Sequence, residues 1–123
     1  MPNATSEVVI YHNPACATSR KVLGMIREAG VQPRVIEYLK TPPDRAELFD
    51  LLRRMGITAR ELLRRRGTPY DELNLHDPGK TDEALIEAIV AHPILMERPV
   101  VAGPRGVRLC RPADRVAEVL PAR

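Results

Sequence analysis

The run Val8-Val9-Ile10-Tyr11, broken by Asn13-Pro14 and followed at once by helically spaced apolar residues, limits the folds open to this chain more than any other stretch. β-Branched and aromatic residues in succession have the composition of a buried strand. Proline lacks an N–H and drives its predecessor out of the helical region, so the strand ends at the Asn13-Pro14 step. From about Ala17 onward, Val22, Leu23, Ile26 and Ala29 recur at helical spacing. Cys16 therefore falls on the turn between a strand and the first turn of a helix. Unpaired backbone N–H groups and the positive end of the helix dipole face outward there. Such a place favours an anion, either the cysteine's own thiolate or an oxyanion ligand. His12 and Arg20 add positive charge beside it.

The rest of the chain reads as alternating elements. Gly30 is a left-handed cap to the first helix, and Arg34 to Leu39 form a second strand. Strand, helix, strand implies a parallel pair with a right-handed crossover. Thr41-Pro42-Pro43 closes that unit. Asp44 with Glu47 opens a helix whose buried stripe is Leu48, Leu51, Leu52 and Met55, and Gly56 ends it. Thr58 to Glu61 is a capping box, predicting a short helix through about Arg66. Thr68-Pro69 starts a turn through Leu73. Thr81-Asp82-Glu83 starts a further helix with Leu85, Ile86, Ile89 and Val90 inward, ended by Pro93. Val100 to Ala102 and Val107 to Cys110, joined through Gly103-Pro104-Arg105-Gly106, predict an antiparallel hairpin. A last helix begins at Pro112, with Val116, Val119 and Leu120 inward.

The order βαβ, helical block, ββα predicts an α/β fold: a thioredoxin-like four-stranded mixed sheet with a helical insertion between the second and third strands. We expect a single domain over 1–123 with the insertion at about 44–92. In that layout a proline before the third strand faces the cysteine and is commonly cis, and Pro99 occupies the place.

Composition narrows the functions. The net charge is only +3, with 19 basic and 16 acidic residues mixed along the chain, and aromatic content is 3%. That argues against nucleic acid as a partner, since stacking platforms are scarce. No apolar run approaches the ~20 residues of a membrane span, so no membrane is expected. Met1 to Ser6 lacks a signal-peptide core, which points to the cytoplasm, and the Asn3-Ala4-Thr5 sequon carries no weight there. Two distant cysteines in a reducing compartment read as two thiols. With scattered histidines they make no metal site.

The chemistry centres on Cys16. It heads a C-x-x-S, with Ser19 where a resolving thiol would stand, so a disulfide cycle needs an outside partner. A phosphatase-type loop requires arginine where Val22 stands and is excluded. His12 on the same turn can raise the thiolate fraction by charge or hydrogen bonding. Ser19 and Thr18 can donate hydroxyl hydrogen bonds to the sulfur, or simply cap the helix. Arg98, Arg111 and Arg64, the last placed in the inserted helix, recur where the layout brings segments together. A guanidinium fork grips a tetrahedral oxyanion as lysine cannot. Arg65 and Arg66 read as a solvated face, Cys110 as a core strand residue and His92 as a helix-end residue.

His12-Asn13-Pro14-x-Cys16-x-Thr18-Ser19-Arg20, with Pro93-Ile94-Leu95, Glu97-Arg98-Pro99 and Arg108-Leu109-Cys110-Arg111-Pro112, closely resembles the glutathione/glutaredoxin-coupled arsenate reductase family from about Val8 to Leu120. The resemblance implies an oxidoreductase that reduces arsenate to arsenite through a covalent arsenic adduct on Cys16. In it Arg64, Arg98 and Arg111 bind the substrate, His12 tunes the thiol and Ser19 supports the thiolate. It implies no bound cofactor, glutathione as co-substrate and glutaredoxin as partner. Ala17 departs from the glycine that family members often carry. Two other readings stay open: a non-enzymatic protein resembling the regulators that contact RNA polymerase, and a general glutathione-dependent thiol reductase.

Overall fold

A computed structural model describes residues 7–121; the Met1 to Ser6 stretch and its sequon lie outside them. The chain divides into two compact units, one within Met1–Thr41 and Arg98–Arg123, the other Pro42–Glu97. The first carries the sheet. Strand β1 (Val9–His12), helix α1 (Ala17–Glu28) and strand β2 (Arg34–Glu37) come first in sequence. Strands β3 (Val100–Gly103) and β4 (Gly106–Leu109) and a 3₁₀ helix (Ala113–Glu118) follow the second unit. The strands lie in the order β2-β1-β3-β4, β1 parallel to β2 and the other pairs antiparallel. This is the expected thioredoxin-like mixed sheet.

Register explains the core. Val8 just before β1, with Ile10 and Val101 of the sheet, meets Val22 and Ile26 of α1 and Val116, Val119 and Leu120 of the closing segment. Gly30, at φ +83, turns the chain after α1, and Val31 N–H returns to the Ile26 carbonyl. The two-residue turn Pro104-Arg105 pairs Gly103 with Gly106 and sets the hairpin register.

Two expectations need correction in this unit. The second strand stops at Glu37, because the Lys40 and Thr41 N–H groups bond back to the Glu37 carbonyl and turn the chain. The last helix is 3₁₀, its N–H groups reaching three residues back, as Val119 does to Val116. The Arg98-Pro99 peptide is cis, as the layout suggested, and so is Arg111-Pro112.

The second unit is helical: α2 (Arg45–Met55), α3 (Ala59–Leu62) and α4 (Asp82–Ala91), then a 3₁₀ turn (Pro93–Leu95). Asp44, Thr58 and Thr81 cap the three helices through side-chain oxygens, and Thr58 with Glu61 completes the capping box. Leu48, Leu51, Leu52, Leu62, Leu85, Ile86 and Ile89 are buried. Val90, expected inward, is 37% exposed, since it lies off the Leu85–Ile86–Ile89 face. Helix α3 stops at Leu62 instead of reaching Arg66. Leu63 turns extended and bridges to Met96, while Arg64 N–H donates to the Leu95 carbonyl and Glu97 N–H to that of Leu62. Arg64 is thus on an extended segment, not in the inserted helix; pairing with residues 95–97 overrides local helix propensity.

Glycine positions give a sharp test. A Cβ on Gly103 would sit 2.1 Å from the Val119 carbonyl oxygen, whereas one on Gly24 within α1 meets nothing within 4 Å. Gly103→Ala should cost about 3 kcal/mol, a fall in Tm of roughly 10 °C. Gly24→Ala should add about 0.5–1 kcal/mol by reducing backbone freedom in the unfolded chain. Thermal denaturation of the two variants checks both, and a harmless Gly103→Ala would contradict the packing.

Candidate active site

The site is assembled where β1 gives way to α1. Pro14 and Ala15 form a turn that the Cys16 N–H closes on the Asn13 carbonyl at 3.0 Å, and Cys16 is the N-cap residue of α1 in extended backbone. The thiol makes no full capping hydrogen bond. Burial pushes it up, but the Ser19 and Thr18 N–H groups, the Arg111 guanidinium and the Arg98 charge together bring it below its ordinary value of 9.0. The helix start thus does for sulfur what it does for any anion. Cys16 is part-exposed and free.

Two arginines come to this sulfur from the other end of the unit. Arg111 Nη1 lies 3.9 Å from Cys16 Sγ and donates to the Arg98 carbonyl at 3.0 Å. Arg98 is only 4% exposed. A buried guanidinium is costly unless negative charge lies near it, and the thiolate supplies some of that charge. Arg20 turns instead to the Pro14 carbonyl, 2.8 Å from its Nη1, and braces the turn.

Behind the turn, Ser19 is fully buried. Its Oγ lies 2.6 Å from His12 Nδ1 and accepts from the Asn13 N–H at 3.1 Å. The direction of the Ser19–His12 hydrogen bond follows the imidazole tautomer, since the hydroxyl can donate its proton or accept through its second lone pair. Burial lowers the His12 pKa from its ordinary 6.5; Glu37, its partner in the β1–β2 register, opposes this, and Arg27 and Arg20 add to it. His12 reaches Ser19, whose backbone N–H lies at the sulfur. The Ser19 and Thr18 contributions at the sulfur come from backbone N–H groups, not from the hydroxyls that the sequence offered.

Arg64 belongs to the second unit. Its Nη1 donates to Glu97 Oε1 at 3.0 Å and its Nε to the Arg66 carbonyl at 3.1 Å. Cys110 is buried in the sheet unit's core, its thiol pushed up to about 12 by desolvation. His92 ends α4, as expected. Among the described residues no three His, Cys, Asp or Glu side chains gather as metal ligands. No helix there is long and apolar enough to cross a membrane.

A family model described as the ArsC family matches residues 11–119, from the strand before Cys16 to the closing segment after Arg111. The chain belongs to the ArsC family. An arsenate reductase of Rhizobium meliloti is 54% identical over 93% of this chain and 81% of its own length. One of Escherichia coli K12 is 53% identical over 94% and 82%. Among solved structures, an arsenate reductase from Vibrio cholerae superposes with a TM-score of 0.89 at 41% identity, covering 94% of this chain and 98% of that one. Sequence reasoning quoted Asn13 and Glu97 within motifs but gave neither a role at the site, while the structure ties Asn13 into the turn before Cys16 and pairs Glu97 with Arg64. An asparagine ahead of a proline turn was the available signal for the first; nothing local marked the second.

A neutral, buried His12 makes stability depend on pH. Its folded pKa lies below the unfolded 6.5, so the unfolded chain binds the proton more readily and stability falls as pH drops below 6.5. His12→Asn keeps an acceptor near the Ser19 hydroxyl but does not titrate. Between pH 7.5 and 5 the parent protein should lose more Tm than His12→Asn; equal losses would contradict a neutral His12.

Proposed function

We propose that this protein reduces arsenate to arsenite through the Cys16 thiolate, with glutathione and glutaredoxin supplying the electrons. The observation that carries the reading is a part-exposed cysteine with a lowered pKa, 3.9 Å from one guanidinium and under the charge of a buried second one. An unprotonated sulfur is the nucleophile, and the guanidinium forks offset the charge of a tetrahedral oxyanion that would otherwise repel it. The names of the 53–54% identical relatives supply the substrate.

In this mechanism the thiolate attacks arsenic and an arsenate oxygen leaves as water after protonation, giving a Cys16 S–As(V) adduct. Glutathione adds through sulfur and a second oxygen leaves as water. A glutaredoxin thiolate then attacks the glutathione sulfur. The S–As bond breaks with its electron pair left on arsenic, which becomes As(III), and glutathione departs as a mixed disulfide with glutaredoxin. Hydrolysis frees arsenite and returns the Cys16 thiol. Arg98 and Arg111 bind the substrate oxygens, and Arg64 is the third substrate-binding arginine on the strength of the family resemblance alone. His12 and Ser19 act behind the sulfur.

An outside thiol is required for a physical reason. Ser19 holds the position of a local resolving cysteine. Cys110 is buried, with a thiol held at about pKa 12, so it forms almost no thiolate at neutral pH. The same dependence on reduced thiols fits a cytoplasmic setting. No bound cofactor enters the cycle. Phosphate, matched in charge and shape, should compete.

Arsenate-dependent NADPH oxidation with glutathione, glutaredoxin and glutathione reductase tests the reading. Cys16→Ser should abolish turnover, and Arg98→Lys should lower kcat/KM by about 10- to 100-fold. Activity retained in Cys16→Ser would refute the nucleophile. A mixed-disulfide substrate reduced faster than arsenate would favour a general thiol reductase.

A further inference from the structure

Between the strand and the cysteine stands one polar side chain that the mechanism above does not use. Asn13 is 5% exposed, and it ties three points of the loop. Its Oδ1 accepts from the Ala15 N–H at 2.9 Å, its carbonyl accepts from the Cys16 N–H at 3.0 Å, and its N–H donates to Ser19 Oγ at 3.1 Å. Any residue but proline offers the two backbone bonds. Only a short side chain with an acceptor oxygen makes the first.

That first bond fixes the turn on which everything at the sulfur depends. The Ala15 N–H lies in the Pro14–Ala15 peptide and the Cys16 N–H in the next one; with both held on Asn13, the turn sets where the Cys16 Cα–Cβ bond points. The thiol feels the Ser19 and Thr18 N–H groups and Arg111 only while it lies over the start of α1. A buried amide oxygen left in place by a looser turn would be costly, so the arrangement is held from both sides.

We propose that Asn13 is a positioning residue for the nucleophile: its side-chain bond to the Ala15 N–H holds the Asn13–Cys16 turn so that the Cys16 sulfur faces the N–H groups of α1 and the Arg111 guanidinium. The assignment deepens the arsenate reading, in which that sulfur attacks arsenic, but its test needs no arsenate.

The test is the pH dependence of Cys16 alkylation by iodoacetamide, with circular dichroism as a check on folding. Asn13→Ala removes the acceptor. Its alkylation midpoint should rise by about one pH unit, so that the rate at neutral pH falls up to about tenfold. Asn13→Ser, whose shorter hydroxyl can make the same kind of turn more weakly, should fall between the two. A folded Asn13→Ala with the parent midpoint overturns the proposal. Should Asn13→Ala fail to fold, Asn13→Ser decides in its place: a raised midpoint supports the assignment and an unchanged one overturns it. If the midpoint moves while the parent protein shows no arsenate turnover, the positioning role stands and the substrate reading falls.

Discussion

The start of helix α1 is the constraint on which the rest of this structure depends. A helix begins with N–H groups that have no partner in the helix, and most proteins satisfy them with a serine, threonine, aspartate or asparagine at the N-cap. Here the N-cap residue is Cys16, whose neutral thiol is a poor acceptor and whose thiolate is a good one. The local backbone therefore favours ionisation of the residue that occupies the cap. Burial works against it, and the Ser19 and Thr18 N–H groups, followed by Arg111 and Arg98, together outweigh it. One helix end, with two arginines brought from distant sequence, holds the pKa of an ordinary side chain below its usual value.

The sheet makes that convergence possible. Arg98 and Arg111 flank the β3–β4 hairpin, and β3 runs antiparallel beside β1, whose last residue is His12. A hairpin joined by a two-residue turn returns its two ends to the same edge, so residues before β3 and after β4 arrive together. The Arg111 bond to the Arg98 carbonyl is the direct trace of that closure. Below the turn the neutral His12, Ser19 and the Asn13 backbone form a satisfied polar network in an otherwise apolar setting, which is the condition for burying such groups at all.

Much of this was legible in the sequence because the signals are local. Strand, proline break and helical spacing located Cys16, and the caps at Asp44, Thr58 and Thr81 located three helix starts. What escaped depends on partners far along the chain. Leu63 and Arg64 carry helix-compatible residues but pair with residues 95–96, and no local pattern announces that. Val90 sits beside the buried stripe of α4, where one residue of rotation separates inside from outside. Hydroxyl and backbone donors to the sulfur are indistinguishable until the Ser19 hydroxyl is seen committed to His12 and the Asn13 N–H. Arg64 rests on the family resemblance alone, whereas Arg111 lies 3.9 Å from the Cys16 sulfur and the Arg98 charge acts on it.

The measurement that bears most directly on the account is an ultraviolet titration of the Cys16 thiolate, taken as the difference between the parent protein and Cys16→Ser so that the buried Cys110 cancels. The account predicts a midpoint below the ordinary cysteine value of 9.0. A midpoint at or above that value would mean that burial outweighs the helix start and the arginines, and would contradict it.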